Sequence, residues 1–204
     1  MLQLFAMQVS GADFAEERWK PYLSQKRIEE AGRRRDGRDR QLFLGAEVLL
    51  NLALERCAPE VKRPAAYRRN AHGKPYLLPP DDGIFVNWSH SGDYVLLALA
   101  DREVGVDIQL ATVPPRDALV RRVLNAREQQ VYDAVPEPRK KKVFYEFWAL
   151  KESILKAQGT GFGAPLPEDR SLWPTRVLEF RDGDYAAAVC CRGGMEDAEI
   201  QYLA

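Results

Sequence analysis

Apolar and polar positions along the chain follow two periods. The segments LQLFAMQV (2–9), IFVNW (84–88), YVLLALA (94–100), VGVDIQL (104–110), RVLEF (176–180), YAAAVCC (185–191) and AEIQYL (198–203) are short apolar or alternating runs, and each predicts a strand. SHSGD (89–93) reads as the turn between two of them. RDGD (181–184) reads as a tight hairpin, because Asp-Gly accepts the positive φ such a turn needs. Helical periodicity covers residues 14–35 and 37–56, the second with a stripe through Leu42, Leu49, Leu50 and Leu54. Two short helices are expected at 116–124 and 126–134, and a long one after Glu137-Pro138. AHGKPYLLPPDDG (71–83) is turn-rich and broken by proline. Helices and hairpins mix in both halves without βαβ alternation, so the fold class is α+β.

Length and composition narrow the possibilities further. A chain of 204 residues suits one large domain or two small halves sharing a core. With 46% hydrophobic and 29% charged residues it reads as globular rather than disordered. Its 30 basic and 30 acidic residues cancel, so no global field points to nucleic acid or a membrane surface. Cys57, Cys190 and Cys191 fit neither a disulfide framework nor a zinc site. With no signal-peptide pattern and no apolar run of spanning length, a cytoplasmic protein is expected.

Candidate chemistry lies in four places. In FWALKESILKAQGTGF (147–162), Lys151 falls in the middle of a stripe formed by Phe144, Phe147, Trp148 and Leu155, where an unpaired ammonium is expensive. Glu152 sits at the stripe's edge with Lys156 one turn on. Snorkelling and an i,i+4 pair account for these charges as well as an anion site does. In GVDIQ (105–109), strand alternation puts Gly105, Asp107 and Gln109 on one face. A carboxylate there, with an amide oxygen two positions on, suits Mg²⁺, which takes one or two carboxylates and completes its shell with water and phosphates. NWSHSG (87–92) offers hydroxyls and an imidazole for phosphate oxygens, or is an ordinary hairpin loop. In HGKP (72–75), Lys74 is a fixed point charge for a phosphate, or part of a plain turn.

The ordered set GKP, SHSG, GVDIQ and WALKESILKAQGTGF, with a weaker match at SQKRIEEAGRRRDGRDRQLFLGAEVLL, resembles the 4′-phosphopantetheinyl transferases in their larger, surfactin-synthetase-associated form. The resemblance runs from about Leu23 to Phe162. It implies two similar α+β halves, residues 1–103 on the adenine and 3′-phosphate side of coenzyme A and 104–204 carrying the metal site and catalytic helix. It implies transfer of the phosphopantetheine arm to a serine of an apo acyl- or peptidyl-carrier protein, with release of adenosine 3′,5′-bisphosphate. Position by position, it makes Asp107, Gln109 and Glu152 the Mg²⁺ ligands and Glu152 the base. Lys151 and Lys156 face the phosphates, with Lys156 at the leaving oxygen. Ser89, His90, Lys74, Pro75 and Lys26 become coenzyme A contacts. Two departures stand out. Gln109 replaces an acidic ligand of many members, and Glu29 replaces a basic contact that Arg33, Arg34 or Arg40 could supply. A monomer is expected. The rival readings are a catalytically silent coenzyme A or carrier-protein binding module and a metal-dependent phosphoester hydrolase.

Overall fold

Strand β5 (Tyr94–Ala100) is buried on both faces, which is why its sequence is an unbroken apolar run rather than an alternation. The computed structural model describes residues 1–203 except 162, 168 and 196, so Phe162, where the last motif ends, lies outside the described residues. β5 pairs antiparallel with β1 (Leu2–Gln8) and with β4 (Phe85–Ser91). The last strand, β9 (Ile200–Leu203), adds parallel to β1 and completes a sheet of order β4-β5-β1-β9. A second sheet, of order β6-β8-β7, is built from β6 (Val104–Leu110), β7 (Thr175–Leu178) and β8 (Tyr185–Cys191).

The side chains of β5 divide the core. Val95, Leu97 and Leu99 join Phe5 and Met7 against Leu49, Leu50 and Ala53 of helix α2 (Gly37–Cys57). Leu96, Ala98 and Ala100 turn the other way, onto Val104, Val106, Ile108 and Val189 of the second sheet. The far side of that sheet carries helix α5 (Glu137–Gln158), with Ile154 and Ala157 on Cys190. The layers therefore run helix, sheet, sheet, helix, and each leucine removed from water between them contributes roughly 1.5–3 kcal/mol. Helices α3 (Asp117–Val123) and α4 (Ala126–Ala134) cover the first half of α5, where Val120, Leu124 and Phe144 form a separate small core.

The expected helix over 14–35 is divided. Pro21 lies in a 3-10 turn, Glu17–Tyr22, and a new helix α1 (Gln25–Gly32) starts where the Ser24 side chain accepts the Arg27 N–H. The stretch around HGKP, read as turns, holds a two-stranded ladder, β2 (Tyr67–Arg69) with β3 (Pro75–Leu77). Ser89, His90 and Ser91, read as a loop, belong to β4, and the chain reverses only at Gly92, with φ 56°. Any side chain at Gly92 would also meet the Tyr185 hydroxyl, 2.1 Å from an added Cβ. No helix among the described residues is long and apolar enough to cross a membrane.

Candidate active site

Strand β6 brings the first carboxylate into place. Gly105, Asp107 and Gln109 share one face, and the space beside Gly105 is filled by α5. A Cβ on Gly105 would lie 2.1 Å from the Ser153 carbonyl oxygen and 2.3 Å from the Ala157 nitrogen. Helix and strand touch backbone to backbone there, which sets the height at which α5 presents Glu152 and Lys156 to Asp107. Gly105→Ala is expected to force the two elements apart and lower stability by about 1–3 kcal/mol or more, measurable as a fall in the denaturant midpoint.

Asp107 is almost wholly buried and fully engaged. Its Oδ1 accepts from the Ser89 hydroxyl at 2.8 Å and from Lys156 Nζ at 2.5 Å, and its Oδ2 accepts from Gln109 Nε2 at 2.7 Å. Lys156 Nζ also reaches the Ser89 oxygen at 2.8 Å. Ser89 comes from β4, whose alternate residues meet the margin of β6. The Val106 N–H donates to Asn87 Oδ1 at 2.9 Å and the Leu110 N–H to Ser91 Oγ at 2.9 Å. Trp88 and His90 occupy the intervening positions, so Ser89 and His90 point to opposite faces of a strand instead of sharing one loop.

Glu152 completes the cluster. Burial, reinforced by the neighbouring charge of Asp107 and only partly offset by Lys156, pushes its carboxyl up to about 7. Asp107, Gln109, Glu152, Lys156, Ser89 and His90 all line one open basin of about 430 Å³. Arg69 and Trp88 line it too. The same two residues form part of a smaller pocket of about 120 Å³ beside Pro75 and Gly159, and of a long groove of about 890 Å³. The three spaces therefore adjoin along a shared wall and together are called the cleft. Lys26, Arg27, Arg34 and Arg68 line its long arm together with Glu30 and Glu47. Lys26 is exposed, 4.0 Å from Glu30. Of the three arginines left open by the sequence, Arg34 borders the groove, its guanidinium 3.8 Å from the centre of the Phe43 ring. Arg40 spends a guanidinium N–H on the Arg34 carbonyl at 2.8 Å.

Two expected phosphate contacts have other partners. Lys151 is turned toward α3 and α4, where Nζ donates to the Val123 carbonyl, at the end of α3, and pairs with Glu128 Oε2 at 2.5 Å. Both side chains are largely shielded, at 16% and 14% exposure, so this pairing is what allows a lysine in the apolar stripe. Lys74 is buried, and its ammonium donates to Glu103 and to the Ala157 carbonyl. Lys74 and Pro75, both buried, border the small pocket.

Arg69 and Trp88 were not singled out in the sequence, although they line all three parts of the cleft. The Arg69 guanidinium lies 5.1 Å from the centre of the Trp88 ring and donates to the Gly73 carbonyl at 2.8 Å. Trp88 directly precedes Ser89 in an alternating strand, a signal that could have placed it on the opposite, groove-side face. Arg69 sits on a strand too short to show a period.

The chain as a whole has counterparts among known proteins. A profile of the 4′-phosphopantetheinyl transferase superfamily matches residues 103–202. The 4′-phosphopantetheinyl transferase psf-1 of Bacillus pumilus is 30% identical over 99% of this chain and 95% of its own length. The putative 4′-phosphopantetheinyl transferase slr0495 of Synechocystis is 28% identical, covering 72% of this chain and 61% of its own. The 4′-phosphopantetheinyl transferase Sfp of Bacillus subtilis is also 28% identical, over 74% of this chain and 66% of its own. The chain belongs to the 4′-phosphopantetheinyl transferase superfamily and is a transferase by class.

Proposed function

We propose that the protein transfers the 4′-phosphopantetheine group of coenzyme A to a serine hydroxyl of an apo acyl- or peptidyl-carrier protein and releases adenosine 3′,5′-bisphosphate. The observation that carries this reading is the convergence of Ser89, Asp107, Glu152 and Lys156 on one basin that adjoins a groove bordered by Lys26, Arg34, Arg68 and Arg69. An anionic substrate with two phosphate positions separated by a sugar suits a basin and a groove that share a wall.

On this reading the pyrophosphate lies against Lys156, Ser89 and His90, and the 3′-phosphate end lies toward Lys26 and Arg34. Glu152 takes the proton of the carrier serine. A bond forms from the serine oxygen to the phosphorus on the pantetheine side, the bridging oxygen leaves with the adenosine bisphosphate, and Lys156 stands where charge gathers on that oxygen. A carboxyl poised near 7 is well placed to accept a proton at neutral pH.

The donor set also fits Mg²⁺. Among the described residues no group of three or more His, Cys, Asp and Glu side chains gathers as a metal cage. Asp107 and Glu152 nevertheless face one basin closely enough for the first to raise the pKa of the second. Two carboxylates suit an ion that draws its other ligands from phosphates and water, and the ion would supply charge neutralisation at the pyrophosphate. Gln109 donates its amide to Asp107, so here it orients that carboxylate. The division into halves, 1–103 and 104–204, is supported by each having a long helix, α2 or α5, laid on its own sheet, with β9 crossing back from the second half to pair parallel with β1.

The test is incubation of the full chain with coenzyme A, Mg²⁺ and a small panel of apo carrier proteins, read by intact mass. A gain of one phosphopantetheine group on the carrier serine is expected. Binding without any gain would favour a silent binding module, and coenzyme A breakdown without a carrier would favour a hydrolase.

A further inference from the structure

The last turn of α5 is closed from outside the helix. The Leu155 carbonyl accepts the N–H groups of Gly159 at 2.9 Å and Thr160 at 3.2 Å, made possible by Gly159 at φ 72°. Beyond that, the Ala157 carbonyl accepts from Lys74 Nζ, and the Gly159 carbonyl accepts from Asn70 Nδ2 at 2.9 Å. Both donors stand at the tip of the β2–β3 hairpin. Asn70 fixes the shape of that tip by accepting the N–H groups of His72 at 2.9 Å and Lys74 at 3.0 Å. The hairpin packs directly on the helix end: a Cβ on Gly159 would lie 2.9 Å from Asn70 Nδ2 and 3.1 Å from Lys74 Cδ.

Lys74 has a third partner in Glu103, the residue before β6, and its side chain is only 3% exposed. One ammonium thus ties the hairpin to the start of the strand that carries Asp107 and to the end of the helix that carries Glu152 and Lys156. A cation at a helix C-terminus also complements the helix dipole. Resting on the function proposed above, we infer that Lys74 is a positioning residue which fixes the offset of α5 along β6, and so sets Lys156 and Glu152 against Asp107, instead of gripping a phosphate. Burial lowers the Lys74 pKa while Glu103 holds it up, as expected of a buried ammonium that depends on its partner.

The experiment compares Lys74→Met, Lys74→Arg and Glu103→Gln with the parent chain, at a temperature well below each unfolding midpoint. In Lys74→Met, kcat for carrier modification is expected to fall by about tenfold to a hundredfold, the scale of a small misplacement of reacting groups. KM for coenzyme A should stay within about twofold, because the binding contacts remain. The preference for coenzyme A over 3′-dephospho-coenzyme A should be unchanged, and amide exchange at 157–160 should accelerate. Lys74→Arg should recover part of kcat. A raised KM together with a lost preference would make Lys74 a phosphate contact and overturn the inference. A lowered midpoint with kcat intact, or unchanged exchange at 157–160, would overturn it as well. If Lys74→Met does not fold, Glu103→Gln is judged by the same criteria. Failure of the parent chain to modify any carrier would count against the proposed function, whereas the exchange measurement would still decide the clamp.

Discussion

Asp107→Ala is expected to lower the rate of carrier modification by on the order of a hundredfold or more. The carboxylate is the point on which the site converges, accepting from Ser89, Lys156 and Gln109 together. Its removal leaves the half-shielded Lys156 ammonium without its counter-charge and frees it to swing from the position proposed for the leaving oxygen. It also takes away one of the two carboxylates proposed for Mg²⁺. Asp107→Asn separates the two losses, because an amide oxygen still accepts from Ser89 but carries no charge. Both variants should be nearly inactive if charge is what matters, while Gln109→Ala, which removes only a neutral donor, should retain most activity. Single-turnover rates across a Mg²⁺ titration check this. Near-normal activity in Asp107→Ala would refute the site assignment.

Glu152→Gln is expected to abolish most activity and yet make the free protein more stable at pH 8. The Glu152 carboxyl is raised from about 4.5 to about 7 by burial and by Asp107. A carboxyl raised in this way burdens the folded state above its unfolded pKa. The cost is absent below about pH 4.5, grows between 4.5 and 7, and is fully present above 7. Its ceiling is about 3 kcal/mol, and partial contact with solvent reduces it to roughly 1–2 kcal/mol. The unfolding midpoints of parent and Glu152→Gln should therefore coincide near pH 4 and separate in favour of the variant by pH 8. An ion bound by Glu152 has to displace its proton, so Mg²⁺ should raise the parent's midpoint more at pH 8 than at pH 6. Equal midpoints at pH 8 would show that the carboxyl is not perturbed.

Elements that bury a continuous or strictly alternating surface were legible in the sequence. β5 and β8 have apolar runs because sheets or helices cover both faces, β6 alternates, and α5 has a first-turn proline, a C-terminal glycine and length enough to stand out. β4 was cut short because Ser89, His90 and Ser91 are polar on both faces. One face serves the margin of β6 and the basin while the other borders the groove, so neither carries the apolar signal of a buried strand. β2 and β3 are three residues each, below the length at which a period of two can be told from a turn. The site motifs were legible as a set, and Asp107, Glu152, Lys156, Ser89 and His90 do meet at one basin. The lysines were harder. Whether a lysine faces a ligand or a carboxylate depends on partners distant in sequence, here Glu103 and Ala157 for Lys74 and Glu128 for Lys151. Nothing in GKP or WALKES encodes those distances.

The meeting of β4 with β6 also bears on how the protein behaves in a crowded solution. A sheet's outermost strand normally offers a row of unmet N–H and C=O groups to which another chain can add. β6 is outermost in its sheet, seven residues long and largely buried, the kind of strand that recruits copies of itself. Here Asn87 and Ser91 occupy its Val106 and Leu110 N–H groups with side chains, which a passing strand cannot easily displace. The opposite margin, β7, is only four residues long. The polar residues that prepare the cleft thus also shield the sheet against self-association, and loss of Asn87 and Ser91 together should show first as aggregation on storage, with the catalytic groups still in place.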